Sequence, residues 1–341
     1  MQSLTLLRPS SWQALLPGAL TVLTIALAAT FISEHYGGPQ LLYALFFGMA
    51  FNFLAEEPRT KPGIDFASRP MLRFGVALLG ARITIAQLTA LGAGPVVLVV
   101  VGVAATIGFG AWLGRRLERS TTEGLLTGGA VAICGASAAL ALSAVLPKNA
   151  DNQRFTLLTV VGVTALSTLA MILYPALART LGLDSSAAGI FLGGTIHDVA
   201  QVVGAGFMIS PEAADTATVV KLLRVALLVP AVLAFSLMYR GEQTSAFTRP
   251  PLLPSFLVAF MVLVAANSLG IIPKEVASTL GLVSRWCLVA AISALGVKTS
   301  FQQLAGLGWR PVALMVAETA FLAALNLSGL CLMHGLNCVH L

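Results

Sequence analysis

No charged side chain stands between Arg8 and Glu34, between Arg82 and Arg115, between Glu123 and Lys148, or between Arg154 and Arg179. Each interval is longer than the roughly 20 apolar residues that a helix needs to cross a bilayer core about 30 Å thick. Only 10% of the 341 residues are charged and 57% are hydrophobic, whereas a soluble domain carries about 25% charged residues. The mean hydropathy of +0.90 agrees. A soluble globular enzyme is excluded, because so few charges cannot cover a water-facing surface. The chain must be solvated by lipid.

Eleven apolar segments are separated by turn or charge signals, which predicts an all-α polytopic membrane protein. They are Gln13 to Ser33, Leu41 to Ala55, Met71 to Leu88, Pro95 to Leu113, Thr122 to Leu146, Phe155 to Leu177, Ala187 to Ile209, Val219 to Tyr239, Pro254 to Leu269, Leu282 to Val297 and Val312 to Met333. The first has too long a hydrophobic run for a cleavable signal peptide and reads as a span. The positive-inside rule orients the stack. Arg59, Lys61, Arg69 and Arg73 follow the second span, Arg115, Arg116 and Arg119 the fourth, and Arg240 and Arg249 the eighth, so these loops are expected in the cytoplasm. The stretches Glu34 to Pro39 and around Glu212 and Asp215 fit the outside, giving an N-terminus inside and a C-terminus outside. The fifth segment either spans or re-enters; in the second case Lys148 and Arg154 are cytoplasmic.

Compared with itself at an offset of 216, the chain aligns Ser68 to Leu98 with Ser284 to Leu314 without a gap. Ser68 meets Ser284, Arg69 Arg285, Gly80 Gly296, Arg82 Lys298, Gly92 Gly308 and Pro95 Pro311, and Asn52 and Asn267 fall within one position of the same offset. The third and tenth spans run in opposite directions, so the duplication is inverted, an architecture common among secondary transporters. The chain reads as a single transmembrane transporter domain over residues 1–341. Its repeat halves fall near 41–114 and 254–335, and 121–240 lies between them.

Two segments in that middle stretch read as interrupted helices. The fifth carries Gly128 and Gly129 ahead of Cys134, Gly135 and Ser137; the seventh carries Gly193 and Gly194 ahead of Thr195, His197, Asp198 and Gln201. Glycine costs about 1 kcal/mol in a helix interior relative to alanine, and the polar groups are poor lipid neighbours. Unwound backbone at membrane depth is tolerated only where it is buried or lines a cavity, and its N–H groups favour an anion. The alternative is that the Gly-Gly pairs are close helix-packing surfaces. Asp198 and Glu318 are membrane carboxylates, functional by default, and His197 is either a proton carrier or a satisfied core histidine. Arg82 and Lys298 either snorkel to the interface or turn two positive charges inward. Lys221 and Arg224 read as interfacial anchors opening the eighth span, with one of them available to pair with Asp198. Cys134, Cys287, Cys331 and Cys338 show no CxxC spacing, and no cofactor or metal is indicated. No nucleic-acid-binding stripe occurs.

The stretches 128–140 (GGAVAICGASAAL), 193–205 (GGTIHDVAQVVGA) and 72–83 (LRFGVALLGARI) resemble the YeiH-like bacterial multi-pass family, whose members are often labelled sulfate exporters. The likeness runs from the second span to the eleventh. It implies a multi-pass protein of the bacterial inner membrane, related in design to cation/proton antiporters and bile-acid-type carriers. The expected function is a secondary carrier for a small anion, sulfate or an organosulfonate, exported and coupled to protons. Gly128, Gly129, Cys134, Gly135, Ser137, Gly193, Gly194, Thr195, Gln201, Arg82 and Lys298 are the expected substrate contacts, and Asp198, His197 and Glu318 the proton-coupling groups. The alternative is a proton-coupled cation antiporter using Asp198 and Glu318. An intramembrane enzyme is disfavoured, since no HExxH, GxSxG or paired catalytic aspartates occur. The bilayer and a small anion are the expected partners, and a homo-oligomer is left open.

Overall fold

The computed structural model describes residues 9–36, 39–90, 92–143, 145–146, 150–239, 255–299 and 309–334. Lys148, Arg240, Arg249 and Cys338 lie outside them. The described residues contain helices and no strand. In chain order the helices are α1 (Pro9–Tyr36), α2 (Gln40–Ala50), α3 (Lys61–Phe66), α4 (Leu72–Leu79), α5 (Ile85–Ala90), α6 (Ala93–Arg116), α7 (Thr121–Ala132), α8 (Ala136–Ser143) and α9 (Ala150–Thr180). They continue with α10 (Ser185–Thr195), α11 (Val199–Phe207), α12 (Pro211–Ala226), α13 (Leu228–Met238), α14 (Ser255–Ser268), α15 (Lys274–Lys298) and α16 (Trp309–His334). Among the described residues, six helical stretches are long and apolar enough to cross a membrane. On α1, Leu16, Leu20, Leu23, Leu27 and Phe31 form one exposed stripe, and a contiguous apolar surface of that extent needs lipid against it.

The chain divides into two compact units, the first made of Met1–Gln87 and Ser255–Ser300, the second of Leu88–Pro254 and Phe301–Leu341.

In the first unit, α3 and α4 form one helical path broken by a π-turn over Ala67–Met71. Pro70 has no N–H to give to the preceding turn, which accounts for the irregularity. This path runs antiparallel to α15: Asp65 pairs with Lys298 at 2.5 Å, and the Ser284 hydroxyl donates to the Gly75 carbonyl at 2.6 Å. Small residues allow the close approach. A methyl group at Gly48 of α2 would strike the Ser293 carbonyl, one at Gly296 the Leu45 carbonyl, and one at Gly80 the Phe260 carbonyl of α14. Two asparagines tie the helix ends: Asn52 Nδ2 donates to the Val297 and Thr299 carbonyls (2.7 and 3.2 Å), and Asn267 Nδ2 to the Ile83 carbonyl (3.2 Å).

In the second unit, α6 and α16 are antiparallel, because Gly94 abuts Met333 at one end and Glu118 pairs with Arg310 at 2.7 Å at the other. Helix α7 starts at the Glu118 end with a capping box in which Ser120 accepts from the Glu123 N–H and Glu123 from the Ser120 N–H. It does not continue across. A methyl group at Gly129 of α7 would land on Leu142 of α8, so the two arms fold back on each other. Helix α9 then sets out from the same end, with the Arg119 guanidinium 5.0 Å from the Phe155 ring. Both ends of the fifth segment therefore lie at one end of the unit.

The seventh segment does the same from the opposite end. Helix α9 finishes with Arg179 donating to the Met208 carbonyl, and Ser185 and Ser210, which open α10 and α12, are joined by a 2.9 Å hydrogen bond. Both ends of the α10–α11 pair are thus at one end of the unit, which corrects the expectation that Ala187 to Ile209 spans. The physical reason is length. An arm of 11 residues such as α10 rises only about 17 Å, roughly half of a bilayer core. Helices α12 and α13 return to the first end, where Tyr239 and Thr122 hydroxyls lie 3.3 Å apart.

Candidate functional site

The tips of the two re-entrant hairpins meet inside the second unit. Helix α7 ends at Ala132, and Ile133, Cys134 and Gly135 turn the chain, with Gly135 at φ +63°. That is left-handed backbone that glycine adopts without the steric penalty of a side chain. Helix α10 ends at Thr195, and Ile196, His197 and Asp198 make the second turn. A methyl group on Gly135 would sit 3.3 Å from His197 Cβ. The breaks therefore come after the Gly-Gly pairs, not at them.

Each hairpin leaves the C-terminal carbonyls of its first arm without helical partners. Lys221 and Arg224 of α12 supply the donors. They are three residues apart, so both project from one face, and their exposures are 0% and 1%. Lys221 Nζ donates to Ile133 O at 2.7 Å and Ile196 O at 3.0 Å. Arg224 Nε donates to Ala132 O (2.8 Å), Nη2 to Val131 O (2.9 Å), and Nη1 to Gly193 O (3.1 Å) and Ile196 O (3.0 Å). One ammonium and one guanidinium thus cap both half-helices, where the dipole ends are negative. Among the described residues, neither cation has a carboxylate within ion-pair distance. This corrects their reading as interfacial anchors; of the two, Lys221 keeps an electrostatic interaction with Asp198.

The second arms present the opposite, positive ends of their dipoles at the same tips. Asp198 caps α11, accepting from the Ala200 N–H at 2.8 Å, while its own N–H donates to Ser167 Oγ of α9 at 3.0 Å. Ser137, in the first turn of α8, is exposed and Asp198 is half-buried; Cys134, Gly135, Thr195, His197 and Gln201 are buried. Around the tips the polar groups are tied down. The Thr319 hydroxyl gives its one proton to the Met315 carbonyl (2.8 Å), so His197 Nε2, 3.0 Å away, is the donor between them, which makes Nε2 a protonated ring nitrogen. Gln201 Nε2 donates to Thr168 Oγ1 at 2.8 Å, and the Thr195 hydroxyl to Phe191 O at 2.6 Å. Glu318, on α16, is fully buried. Its Oε1 accepts from Thr127 at 2.7 Å, and its Oε2 has no partner among the described residues.

The glycine pairs lie at close helix contacts. Side chains at Gly128 and Gly193 would collide with the Thr106 carbonyl of α6 and the Ala217 carbonyl of α12; those at Gly129 and Gly194 would strike Leu142 and the Asn326 side chain. Asn326 Nδ2 in turn donates to Gly194 O at 3.3 Å. Arg82 and Lys298 belong to the first unit, where Lys298 is held by Asp65 and lies 3.4 Å from Ser68 Oγ.

Sequence reasoning passed over Lys221 and Arg224 as site residues, although a Lys-Leu-Leu-Arg step inside an apolar stretch is an intramembrane charge of the kind that marks function. Ser167, Thr168 and Thr319 carry no such signal, because hydroxyls in apolar helices most often bond to their own preceding turn.

Residues 15–315 match the family model described as Conserved hypothetical protein 698. A UPF0324 membrane protein of Chlorobaculum tepidum is 55% identical over 314 residues, 91% of this chain and 88% of the relative. One of Rhizobium meliloti is 54% identical over 318 residues, 92% of each chain. The UPF0324 membrane protein TauZ of Paracoccus denitrificans is 51% identical over 322 residues, 93% of this chain and 95% of the relative. No solved structure matches the chain. With most of its length matched by the model and by relatives above half identity, this all-helical chain belongs to the UPF0324 family of multi-pass membrane proteins, the YeiH-like family that its sequence resembles.

Proposed function

We propose that the protein is a secondary carrier for a small oxyanion, sulfate or an organosulfonate, in a bacterial inner membrane. The observation that carries this reading is the pair Lys221 and Arg224, two buried cations whose hydrogen bonds go to carbonyls and not to acids. Carbonyls satisfy donors but leave the net charge, and a buried charge is costly until an opposite charge is near. The N-termini of α8 and α11 add to the positive field, and the half-buried Asp198 offsets only part of it. An anion at Ser137 and the adjoining N–H groups would complete the charge balance. Cys134, Gly135, Thr195 and Gln201 shape the tips around it. Export is the direction that the family resemblance implies, with Asp198, His197 and Glu318 as the groups that couple proton movement.

We read the chain as an inverted repeat, an arrangement that supports a carrier alternating between two openings. The Asn52 bond to Thr299 O is answered by the Asn267 bond to Ile83 O, and the Gly296 contact with Leu45 O by the Gly80 contact with Phe260 O. Both exchanges follow the same offsets of 215 and 216. The pairs α2 and α14, α3–α4 and α15, α6 and α16, the two hairpins, and α9 and α12–α13 run in opposite directions. Read in the order α14, α15, α16, α10–α11, α12–α13, the second half is a circular permutation of the first. Such a permutation accounts for the hairpins' offset of 65 (Gly128 to Gly193) beside the 216 found elsewhere. On this reading the chain has nine crossings and two re-entrant hairpins instead of eleven spans.

A panel of sulfate, methanesulfonate, acetate, sodium and potassium tests the class. Binding to the folded state raises stability by RT ln(1 + [L]/Kd), and uptake into proteoliposomes then checks transport. Stabilisation by sulfate or the sulfonate supports the carrier. Stabilisation by cations alone, lost in Glu318→Gln, would instead support a proton-coupled cation antiporter built on Asp198 and Glu318.

A further inference from the structure

We infer that the charge of the cargo sets the proton stoichiometry at the hairpin tips: a dianion such as sulfate travels with one proton on the Asp198 carboxylate, and a monoanion such as a sulfonate travels with none. This coupling presupposes the carrier reading of the tips.

Lys221 and Arg224 bring two positive charges, both buried and both bonded to carbonyls. Asp198, within electrostatic reach of Lys221, brings one negative charge. The tips therefore sum to one positive charge. A monoanion brings that sum to zero while Asp198 stays ionised. A dianion overshoots by one negative charge, and a proton on Asp198 restores zero. Uncompensated charge is unfavourable away from water, so each cargo selects the protonation state of Asp198 that balances it.

Asp198 is placed to make that change. Around it stand His197 in its own turn, Cys134 of the first hairpin, and Lys221 and Arg224 of α12, and all four are buried where Asp198 is half-buried. The two cations are fixed by carbonyls, and His197 is engaged with Thr319 at 3.0 Å. From α9, Asp198 meets the Ser167 hydroxyl through its own N–H, while Tyr174 is in electrostatic reach of Arg224. Capping of α11 uses one carboxylate oxygen, Oδ1, at 2.8 Å from the Ala200 N–H. A neutral carboxyl keeps a carbonyl oxygen for that bond, so the helix stays capped in either state. The proton is taken up with sulfate on one side and released with it on the other. Either cargo thus moves one net negative charge per crossing.

The test is thermal stabilisation of the full chain by sodium sulfate and by sodium methanesulfonate, across a range of pH in which both anions keep their charges. If the sulfate-bound form holds one proton more than the methanesulfonate-bound form, the ratio of half-saturating concentrations, sulfate over methanesulfonate, rises about tenfold per pH unit, whatever the protonation of the empty protein. In Asp198→Asn the ratio is expected to be independent of pH and to favour sulfate. Charge complementation is the second measurement. Lys221→Gln is expected to weaken methanesulfonate binding about tenfold or more, and combining it with Asp198→Asn is expected to recover most of that loss, because one positive charge again faces one negative charge. Purely structural roles for the two residues predict no recovery. A wild-type ratio that does not move with pH overturns the stoichiometry, and so does stabilisation by one of the two anions alone, or a double variant that binds methanesulfonate no better than Lys221→Gln. Stabilisation by neither anion is a different result, because it removes the carrier reading itself and the stoichiometry with it, whereas two stabilising anions with a flat ratio leave the carrier reading standing.

Discussion

Lys221 and Arg224 donate to one acceptor, the Ile196 carbonyl, each at 3.0 Å, and each also reaches carbonyls of the other hairpin. The two tips are thus fastened to α12 and, through it, to each other. Arg224→Ala removes the donors of Val131, Ala132 and Gly193 at once. A buried acceptor left without a partner costs about 1–3 kcal/mol, so this variant is expected to unfold many degrees below wild type or to fail to accumulate. Lys221→Gln keeps two N–H donors for Ile133 and Ile196 but removes the charge. It is expected to fold, while sulfate stabilisation weakens about tenfold or more, because hydrogen bonds to a charged group are worth about 1.5–3 kcal/mol. Thermal unfolding with and without sulfate reads both effects, and undiminished sulfate stabilisation in Lys221→Gln would remove the central support of the anion reading.

Topology distinguishes a re-entrant hairpin from a span. In a cysteine-free background, a cysteine at position 118, between α6 and α7, and one at 152, in the first turn of α9, are expected on the same side, the cytoplasmic one. Positions 59 and 116 join them, and 212 lies outside. An impermeant reagent added to intact cells should therefore label only 212. Labelling at 152 without labelling at 118 would mean that the fifth segment crosses the bilayer.

The glycine pairs separate packing from lining. Gly129→Val would drive a side chain into Leu142 and Gly194→Val into Asn326, and overpacking typically costs about 1–3 kcal/mol. Both are expected to lower yield and melting temperature, not to give a stable protein that cannot transport. Gly135→Ala places a side chain at φ +63°, a cost of about 1–2 kcal/mol. Melting curves of the three variants, beside uptake per folded molecule, check this. Stable but inactive Gly129→Val and Gly194→Val proteins would return those glycines to the substrate path.

The membrane class, the all-α character and the distinct character of the fifth and seventh segments could be read from the sequence, whereas the count of eleven spans reads both hairpins as crossings. Re-entrance could not be settled, because a hydropathy window cannot distinguish two short apolar arms around an uncharged tip such as Ile133–Gly135 from one long span. The exact breaks were hidden for a related reason. Glycine marks a helix weakness in either role, and at Gly128 and Gly193 the role is close approach to α6 and α12. Lys221 and Arg224 were assigned to the interface because that is the commoner place for bases near helix ends. Only the fold brings carbonyls of 131–133 and 193–196 around them.

Asp198 is the carboxylate whose two roles can now be separated. Its side chain caps α11 through the Ala200 N–H, and asparagine is as good an N-cap as aspartate. Among the described residues no base is within ion-pair distance of Asp198, but Lys221 is within electrostatic reach of it, so Asp198→Asn removes a through-space attraction and not a hydrogen-bonded pair, and costs less than the roughly 3–5 kcal/mol of a broken buried pair. The variant is therefore expected to melt within a few degrees of wild type. With one negative charge removed beside Lys221 and Arg224, it is expected to bind sulfate more tightly. If Asp198 carries the coupled proton, uptake by Asp198→Asn loses its dependence on an imposed pH gradient, whereas Glu318→Gln, which keeps an oxygen to accept from Thr127, retains it. Binding, melting and pH-driven uptake measured on the same preparations decide between the carboxylates. A stable Asp198→Asn protein with unaltered gradient dependence would limit Asp198 to its capping role.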